Sequence, residues 1–352
     1  MNPAPGLKHL PVAEWPAEDC ALFDAAFADG DIFDDDRGAG ADLSAGSRRT
    51  IVFGWRRWLG FLAERHPGDL RLAAADRVTV ERVPDYVAHL STTMTASSTA
   101  TTVAQLYNGA RLAAPDRDWE WLKALKTRLQ ALGVPEDRFE RLVPPHETLE
   151  LGIALMDAAK TPSINGRKWA DIQFRDGLII ALLSLWPIRR RSLAALTLAH
   201  VEFGEDRADM LLDPEDTKAG RAESWSVPGL FQPYLRRYLA EIRPILVGRH
   251  THDALWVGQR GNALGDGAIY EAMCRRTKLA FGKAMAPHDF RRAGPTFLAM
   301  DAPEKVGLIP GILQHASPET GDRYYNLAST AAASRRHSAT IIELRERHRP
   351  RR

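Results

Sequence analysis

The sequence predicts a mainly α protein with a small antiparallel β-sheet, arranged as two domains. A chain of 352 residues is long enough for two domains of ordinary size. From 47 to 132 apolar residues recur at three- and four-residue intervals, which is the period of a helix. After 147 the helical pattern is interrupted by short strand-like pieces at 198–203, 209–212 and 225–227.

The first half shows its helical pattern most clearly at 50–64. One apolar stripe there predicts the buried face of a helix, and its members are Ile51, Trp55, Trp58, Leu59 and Leu62. His66-Pro67-Gly68 ends this helix. Further helices are predicted to begin near Pro84, at 97–103 and at 119–125. Taken alone, this half predicts no more than a generic helical bundle.

The second half begins after a boundary near 142–146. A helix is predicted at 147–160 and a long apolar one at 169–186. The buried side of the long helix is predicted to carry Ile172, Ile179, Leu182, Leu183 and Trp186. Polar connections at 204–206 and 213–222 would join the strand-like pieces into one sheet. After Pro228 the pattern is mainly helical again.

The charge of the chain is unevenly distributed. Residues 1–46 contain two basic and ten acidic residues, a net charge of −8, so the remainder carries +10 of the total of +2. A basic body is suited to a polyanionic partner such as DNA. The acidic stretch 1–46 is predicted to be a solvated, partly disordered arm.

Several classes of protein do not fit the sequence. Cys20 and Cys274 are far apart and have no neighbouring histidine pairs, so neither a disulfide framework nor a zinc site is predicted. No apolar run approaches the roughly 20 residues that a membrane span requires. The first residues lack the hydrophobic segment of a signal peptide. We therefore expect a cytoplasmic protein without a membrane partner, cofactor or metal.

Chemistry-bearing residues follow one another in a fixed order along the second half. Arg189 lies in Pro187-Ile188-Arg189-Arg190-Arg191, and Lys218 in Asp216-Thr217-Lys218-Ala219-Gly220-Arg221. His288 and Arg291 form a His-x-x-Arg pair in 286–292, His315 lies in 313–320, and Tyr324 follows nine positions later. Guanidinium and imidazole groups can hold a phosphodiester, and a phenol can attack it. The set is what DNA strand transfer without a metal requires.

The order Arg, Lys, His-x-x-Arg, His, Tyr resembles the tyrosine recombinases, the phage-integrase family. Ala286-Pro287-His288-Asp289-Phe290-Arg291-Arg292 is close to the second-arginine box of that family, and 313–320 resembles its Leu-Gly-His-Ser-Ser segment. Gln314 stands where the family has a glycine before the histidine. The resemblance covers roughly 45–345 and is specific from 150 onward.

The resemblance implies a division of the chain and a role for each residue. Residues 47–142 would be a helical core-binding domain, 147–345 the catalytic domain and 346–352 a basic tail. Arg189 and Arg291 would clamp the phosphate, His288 and His315 would hydrogen-bond it and help to move protons, and Lys218 would protonate the leaving oxygen. Tyr324 would be the nucleophile.

Register selects these residues among close competitors. Aligning Leu196-Thr197-Leu198 with the corresponding family step selects Arg189, and leaves Arg190 and Arg191 as DNA-backbone contacts or surface charge. Arg291 is preferred to Arg292, and the spacing of nine from His315 selects Tyr324 over Tyr325. Arg221 is an alternative contact near Lys218.

The implied activity is site-specific recombination of double-stranded DNA through a 3′-phosphotyrosine intermediate. It would need neither metal nor ATP, and it is typical of mobile genetic elements. A homo-tetramer on two DNA sites would exchange C-terminal helices, here 334–344, and accessory DNA-bending proteins could assist. Two alternatives remain: strand relaxation like that of a type IB topoisomerase, and an architectural or repressor protein of the same fold without catalysis.

Overall fold

The computed structural model describes residues 9–31, 37–132, 139–159, 168–205, 207–217 and 222–313. The chain divides into two compact units, Met1–Glu136 and Asp137–Arg352. This division falls a few residues before the predicted boundary at 142–146, because Leu142 and Val143 are buried in the core of the second unit. Among the described residues, no helix combines the length and apolar content that a membrane span requires.

The first unit is built from helices. They are α1 (Ala17–Ala26), α2 (Ala45–Arg65), α3 (Arg82–Ser91), α4 (Ala96–Ala113) and α5 (Glu120–Leu132). Short 3-10 turns occupy Val12–Glu14, Pro67–Arg71 and Ala74–Arg77. The prediction of a helical first half is confirmed.

Helix α2 starts earlier than the predicted 50–64. Its first turn is capped by Ser44, whose hydroxyl accepts a hydrogen bond from the backbone N–H of Ser47 at 3.2 Å. The predicted apolar stripe is confirmed, since its five members are between 0% and 6% exposed. These side chains join the core that α2 shares with α1, α3 and α4.

The predicted acidic arm needs correction. Within 1–46, α1 packs on the helical core and buries Phe23, and Trp15 lies against Phe23. Asp19 is fully buried rather than solvated, and its carboxylate accepts hydrogen bonds from Trp55 and Arg77. The net charge of the segment does not reveal the apolar face of α1, because the described acidic residues other than Asp19 occupy exposed positions. Asp34-Asp35-Asp36, also predicted to belong to the arm, lies outside the described residues.

The second unit combines helices with one sheet, as predicted. Its helices are α6 (Pro145–Ala158), α7 (Trp169–Leu185), α8 (Arg190–Ala195), α9 (Gln232–Arg237), α10 (Arg243–Val247), α11 (Asp266–Phe281), α12 (Pro287–Asp301) and α13 (Ile309–Leu313). A π-helical turn, Tyr238–Ile242, joins α9 to α10. The predicted fold class, mainly α with a small antiparallel sheet, is confirmed.

The sheet has three antiparallel strands in the order β1-β2-β3. They are β1 (Val201–Phe203), β2 (Arg207–Leu212) and β3 (Glu223–Pro228). Met210 of β2 lies opposite Val201 of β1 and Trp225 of β3, and Leu212 lies opposite Glu223. The predicted strand at 198–203 begins later, because 198–200 form a 3-10 turn.

Helix α7 lies at the centre of the second core. Of its predicted buried side, Ile172, Ile179, Leu182 and Leu183 are buried, whereas Trp186 is only half-buried. Trp186 departs from the helix with an extended backbone, so its side chain no longer follows the helical period.

Helices α6 and α7 approach each other closely where two glycines meet. A Cβ added to Gly152 would lie 2.8 Å from the carbonyl oxygen of Gly177, and one added to Gly177 would lie 2.8 Å from that of Gly152. A Cβ carbon cannot lie that close to a backbone oxygen, so glycine is required at both positions. Helix α12, which carries His288 and Arg291, packs against both α6 and α7.

Candidate active site

Arg189 is the residue immediately before α8. Its backbone is extended, so Arg189 is the last residue before the helical conformation begins. Pro187, two residues earlier, cannot continue a helix and separates this segment from α7. Nη1 of Arg189 forms an ion pair with Oε1 of Glu223, the first residue of β3. The guanidinium is therefore tied to the sheet.

His288 and Arg291 lie in the first turns of α12. Pro287 opens this helix, and the Asp289 carboxylate accepts a hydrogen bond from the backbone N–H of Ala286 at 2.8 Å. The i, i+3 spacing places His288 and Arg291 on one side of the helix. His288 is exposed and Arg291 is buried.

The Arg291 guanidinium joins three segments of the second unit. Nη1 donates to the carbonyl oxygen of Pro187, and Nη2 donates to that of Leu313 at 2.7 Å. Pro187 is two residues before Arg189, and Leu313 is two residues before His315. One buried side chain therefore holds the start of the Arg189 segment and the start of the His315 segment against α12.

Three predicted site residues, Lys218, His315 and Tyr324, lie outside the described residues. The same applies to Gln314, Tyr325, Arg221, the predicted C-terminal helix at 334–344 and the basic tail at 346–352. The structure therefore brings together the segments of Arg189, His288 and Arg291. The roles of all six residues stay predictions.

The competing arginines have different surroundings. Arg190 is exposed and forms an ion pair with Asp266 on α11 at 3.0 Å, and its guanidinium lies 5.8 Å from the ring centroid of Tyr270. Arg191 is exposed and Arg292 is half-buried. These surroundings support the interpretation of Arg190 as a surface residue.

The tyrosines within the described ranges are poor candidates for a nucleophile. Burial raises the pKa of Tyr86 and of Tyr238, so both phenols keep their protons. Burial also raises the pKa of Tyr234, whose hydroxyl donates to Asp157 at 2.9 Å. In the alkaline range, where the neighbouring Cys274 thiol also ionises, charge repulsion from Cys274 raises the pKa of Tyr270. Tyr107 is buried in the first core.

Cys274 is not an activated thiol. Burial raises its pKa, so it stays protonated near neutral pH, and the thiol is a much weaker nucleophile than the thiolate. Within the ranges that the structure describes, no group of three or more His, Cys, Asp or Glu side chains is placed to hold a metal ion.

Sequence reasoning missed Glu223. The pattern Glu223-Ser224-Trp225-Ser226-Val227 alternates between the two faces of a strand, with apolar residues at two of the three positions on one face. A carboxylate in register with Trp225 and Val227 has to be buried, and a buried carboxylate needs a cationic partner. That signal was present in the sequence, although the sequence did not show that Arg189 would be the partner.

A second buried acidic residue, Asp176 on α7, was also missed. Its carboxylate accepts hydrogen bonds from Arg175 at 2.6 Å and from Arg276 at 2.9 Å, and Arg275 lies 3.5 Å away. Arg175 in turn donates to the carbonyl oxygen of Val257 at 2.6 Å. This network ties α7 to α11 and supports the helices behind the site.

Comparison with known proteins identifies relatives in sequence and in fold. No family model matches the chain. Over 202 residues, 55% of the chain, it is 23% identical to the tyrosine recombinase XerD of Chlorobaculum tepidum. The match spans 60% of the length of that relative.

Solved structures with similar folds include two that match most of this chain. One is the XerH site-specific recombinase bound to palindromic difH substrate in a post-cleavage complex, with a TM-score of 0.57 and 14% identity over 86% of this chain and 81% of that one. The other is the Tn1549 transposon integrase in complex with circular intermediate DNA, with a TM-score of 0.54 and 13% identity over 87% and 94% of the two chains. The resemblance to the tyrosine recombinases is thus confirmed, and the fold of this chain is the fold of that family.

Proposed function

We propose that this protein is a site-specific DNA recombinase that breaks and rejoins strands through a covalent link to Tyr324. The observation that carries the proposal is the position of Arg291. Its guanidinium contacts the segments that lead to Arg189 and to His315. These contacts support the proposal, because they join α12 to the segments that precede two of the predicted site residues.

The two arginines supply the electrostatic part of catalysis. The transition state of phosphoryl transfer places extra negative charge on the equatorial oxygens, and planar guanidiniums match such oxygens in pairs. Arg189 is fixed by Glu223, and Arg291 by two carbonyl groups. Fixed cations need no reorganisation when the charge develops, which is the condition for strong stabilisation.

The remaining residues move protons and form the covalent bond. A free phenol has a pKa near 10, so Tyr324 must lose its proton during attack, and the exposed His288 is the proposed acceptor. The phenolic oxygen forms a bond to phosphorus while the bond to the 5′ oxygen breaks. Lys218 gives that oxygen a proton, and His315 hydrogen-bonds the phosphate. The product is a 3′-phosphotyrosine and a free 5′ hydroxyl, so the bond energy is kept and neither ATP nor a metal is needed.

Tyr324 is supported as the nucleophile by the state of the other tyrosines. Each of the five within the described ranges is buried, has a raised pKa, or both. Tyr324 and Tyr325 are the other two tyrosines of the chain, and the spacing from His315 favours Tyr324.

The proposed partners follow from charge and from the relatives. The net charge of +10 on residues 47–352 suits double-stranded DNA. Of the two similar structures, one is bound to palindromic difH substrate and the other is in complex with circular intermediate DNA. A homo-tetramer would assemble on two DNA sites, with the 334–344 helix docking on a neighbouring protomer. The proposed location is the cytoplasm.

A suicide substrate nicked beside the scissile phosphate tests the proposal. Loss of the short fragment traps the covalent intermediate, which denaturing gel electrophoresis separates from free protein. We expect wild type and Tyr325→Phe to be trapped, and Tyr324→Phe to bind DNA without being trapped. The Tyr325→Phe variant is the matched control, since it removes the same hydroxyl one residue away.

The same experiment separates the alternatives. If wild type and Tyr324→Phe both bind DNA and neither is trapped, the protein is architectural and the proposal fails. If trapping occurs but a supercoiled plasmid is relaxed by monomers without exchange of strands between two sites, the activity is that of a type IB topoisomerase.

A further inference from the structure

We propose that Glu223 is a positioning residue that holds Arg189 in the orientation needed for phosphate cleavage. The inference rests on the proposed function. It assigns a role to a residue that is not among the six site residues predicted from the sequence. Its basis is the ion pair between the Glu223 carboxylate and Nη1 of Arg189.

Glu223 occupies an inward position of the sheet. Along β3, exposure alternates, with Glu223, Trp225 and Val227 buried and Ser224 and Ser226 exposed. Opposite Glu223 in the register lies Leu212, which is 1% exposed. The Glu223 side chain is itself only 4% exposed. An acidic residue therefore stands where the strand pattern calls for an apolar one.

A carboxylate in such surroundings is unfavourable unless a cation compensates it. Arg189 supplies that cation from the residue before α8, and its side chain is 23% exposed. In this pair Glu223 is enclosed by the core, whereas Arg189 is partly exposed at the surface. The buried carboxylate thus acts as an anchor for an arginine side chain that is itself partly exposed.

The anchoring matters because an arginine side chain has many rotamers. Holding Nη1 in place before DNA binds removes the entropy that would otherwise be lost in the transition state. The consequence is specific: loss of the anchor should slow the chemical step more than it weakens DNA binding. An ion pair that served only to stabilise the fold would affect neither once the protein was folded.

The position of Glu223 in the chain adds a second connection. It is the first residue of β3 and follows Lys218 by five positions. The ion pair therefore links the Arg189 segment to the strand that leads out of the Lys218 segment.

The test measures single-turnover cleavage of the nicked substrate by the full chain at saturating DNA. The substitution Glu223→Gln removes the charge and keeps the shape. We expect its cleavage rate to fall about 10- to 100-fold, as misplacement of a catalytic group by about 1 Å does. DNA affinity should stay within about 3-fold of wild type, because the lost interaction acts in the transition state. Glu202→Gln on β1, at an exposed position of the same sheet, is the matched control and should cleave at the wild-type rate.

Two further measurements separate positioning from folding. In an Arg189→Lys background, Glu223→Gln should lower the cleavage rate by less than about 3-fold, because the effects of two residues that act as a unit are not additive.

With a methylphosphonate at the scissile position, a neutral methyl group replaces one anionic oxygen. Less negative charge then has to be stabilised by Arg189 and Arg291. The Glu223→Gln deficit should then shrink to about 3-fold or less. If Glu223→Gln acted only by damaging the fold, its deficit would stay the same in the Arg189→Lys background and with the methylphosphonate substrate.

Glu223→Asp keeps the charge and serves if Glu223→Gln does not fold. It should cleave at a rate between those of wild type and Arg189→Lys. Cleavage by folded Glu223→Gln or Glu223→Asp at the wild-type rate would overturn the inference, as would an equal deficit on the neutral substrate. Failure of the proposed function is recognised separately, because wild type itself would then form no covalent complex.

Discussion

The two units each contain a buried carboxylate paired with an arginine, and the two pairs differ in enclosure. In the first unit the side chains of Asp19 and Arg77 are 0% and 1% exposed. In the second unit Glu223 is 4% exposed but Arg189 is 23% exposed. Both satisfy a carboxylate that burial would otherwise penalise. Only the second pair has a partly exposed arginine side chain.

The Asp19–Arg77 pair is also the more enclosed of the two in its hydrogen bonding. Asp19 accepts from Trp55 as well as from Arg77, and Arg77 also donates to the carbonyl oxygen of Leu72 at 2.8 Å. This closed network holds α1 on the helical core. Enclosure on all sides indicates a role in stability, whereas the partial exposure of Arg189 is suited to a role in binding.

The largest effect on stability is expected from Asp19→Ala. It leaves the Arg77 charge buried without its partner, which should lower the free energy of unfolding by about 3–5 kcal/mol. Urea denaturation of the full chain measures this. Asp24→Ala, at an exposed position of α1, is the control. A loss below about 1 kcal/mol, as for an exposed pair, would mean that the Asp19–Arg77 pair contributes little to stability.

The opposite profile is expected from Arg189→Lys. Lysine can keep the ion pair with Glu223, so unfolding should change by no more than about 1 kcal/mol. The planar guanidinium is lost, however, and the cleavage rate should fall about 10²- to 10³-fold, as on removal of one donor to a developing anion. Arg191→Lys, at an exposed position, is the control for this single-turnover measurement. Equal rates for the two variants would refute the assignment of Arg189 as the clamp.

The smallest effect is expected from Arg190→Ala. The Arg190 and Asp266 side chains are 44% and 50% exposed, and exposed ion pairs contribute about 0–1 kcal/mol to stability. Cleavage at saturating DNA should match wild type, with at most a weaker salt dependence of binding if Arg190 contacts the DNA backbone. A loss of cleavage as large as that of Arg189→Lys would show that the register chosen between the two arginines is wrong.

The fold could be predicted from the sequence where a residue pattern is compatible with one structure only. The stripe on α2 has the helical period and is buried as predicted, because a helix with one apolar face has a single way to bury it. The 1–46 stretch was misjudged because net charge is summed over residues without regard to direction. Asp19 counted as a surface charge although its neighbours Trp15 and Phe23 required burial.

Only part of the candidate site could be predicted from the sequence. The order and spacing of Arg189, His288 and Arg291 could be read directly, since local motifs are properties of the chain. Glu223 was overlooked, because its importance depends on a partner 34 positions away. A strand pattern shows that a position is inward, but it does not show which side chain from another element will meet it.

The sequence by itself determined the helical period of each half, the three short strands and the order of the chemical groups. The helical period and the strands follow from the pattern of residues close together in the chain, and the order of the chemical groups is the covalent sequence itself. Only the tertiary structure decided that Arg291 would reach Pro187, 104 positions away, and Leu313, 22 positions away. Such contacts arise where α12 packs against α7 and α6, and packing of distant elements fixes which carbonyl or carboxylate a buried guanidinium finds.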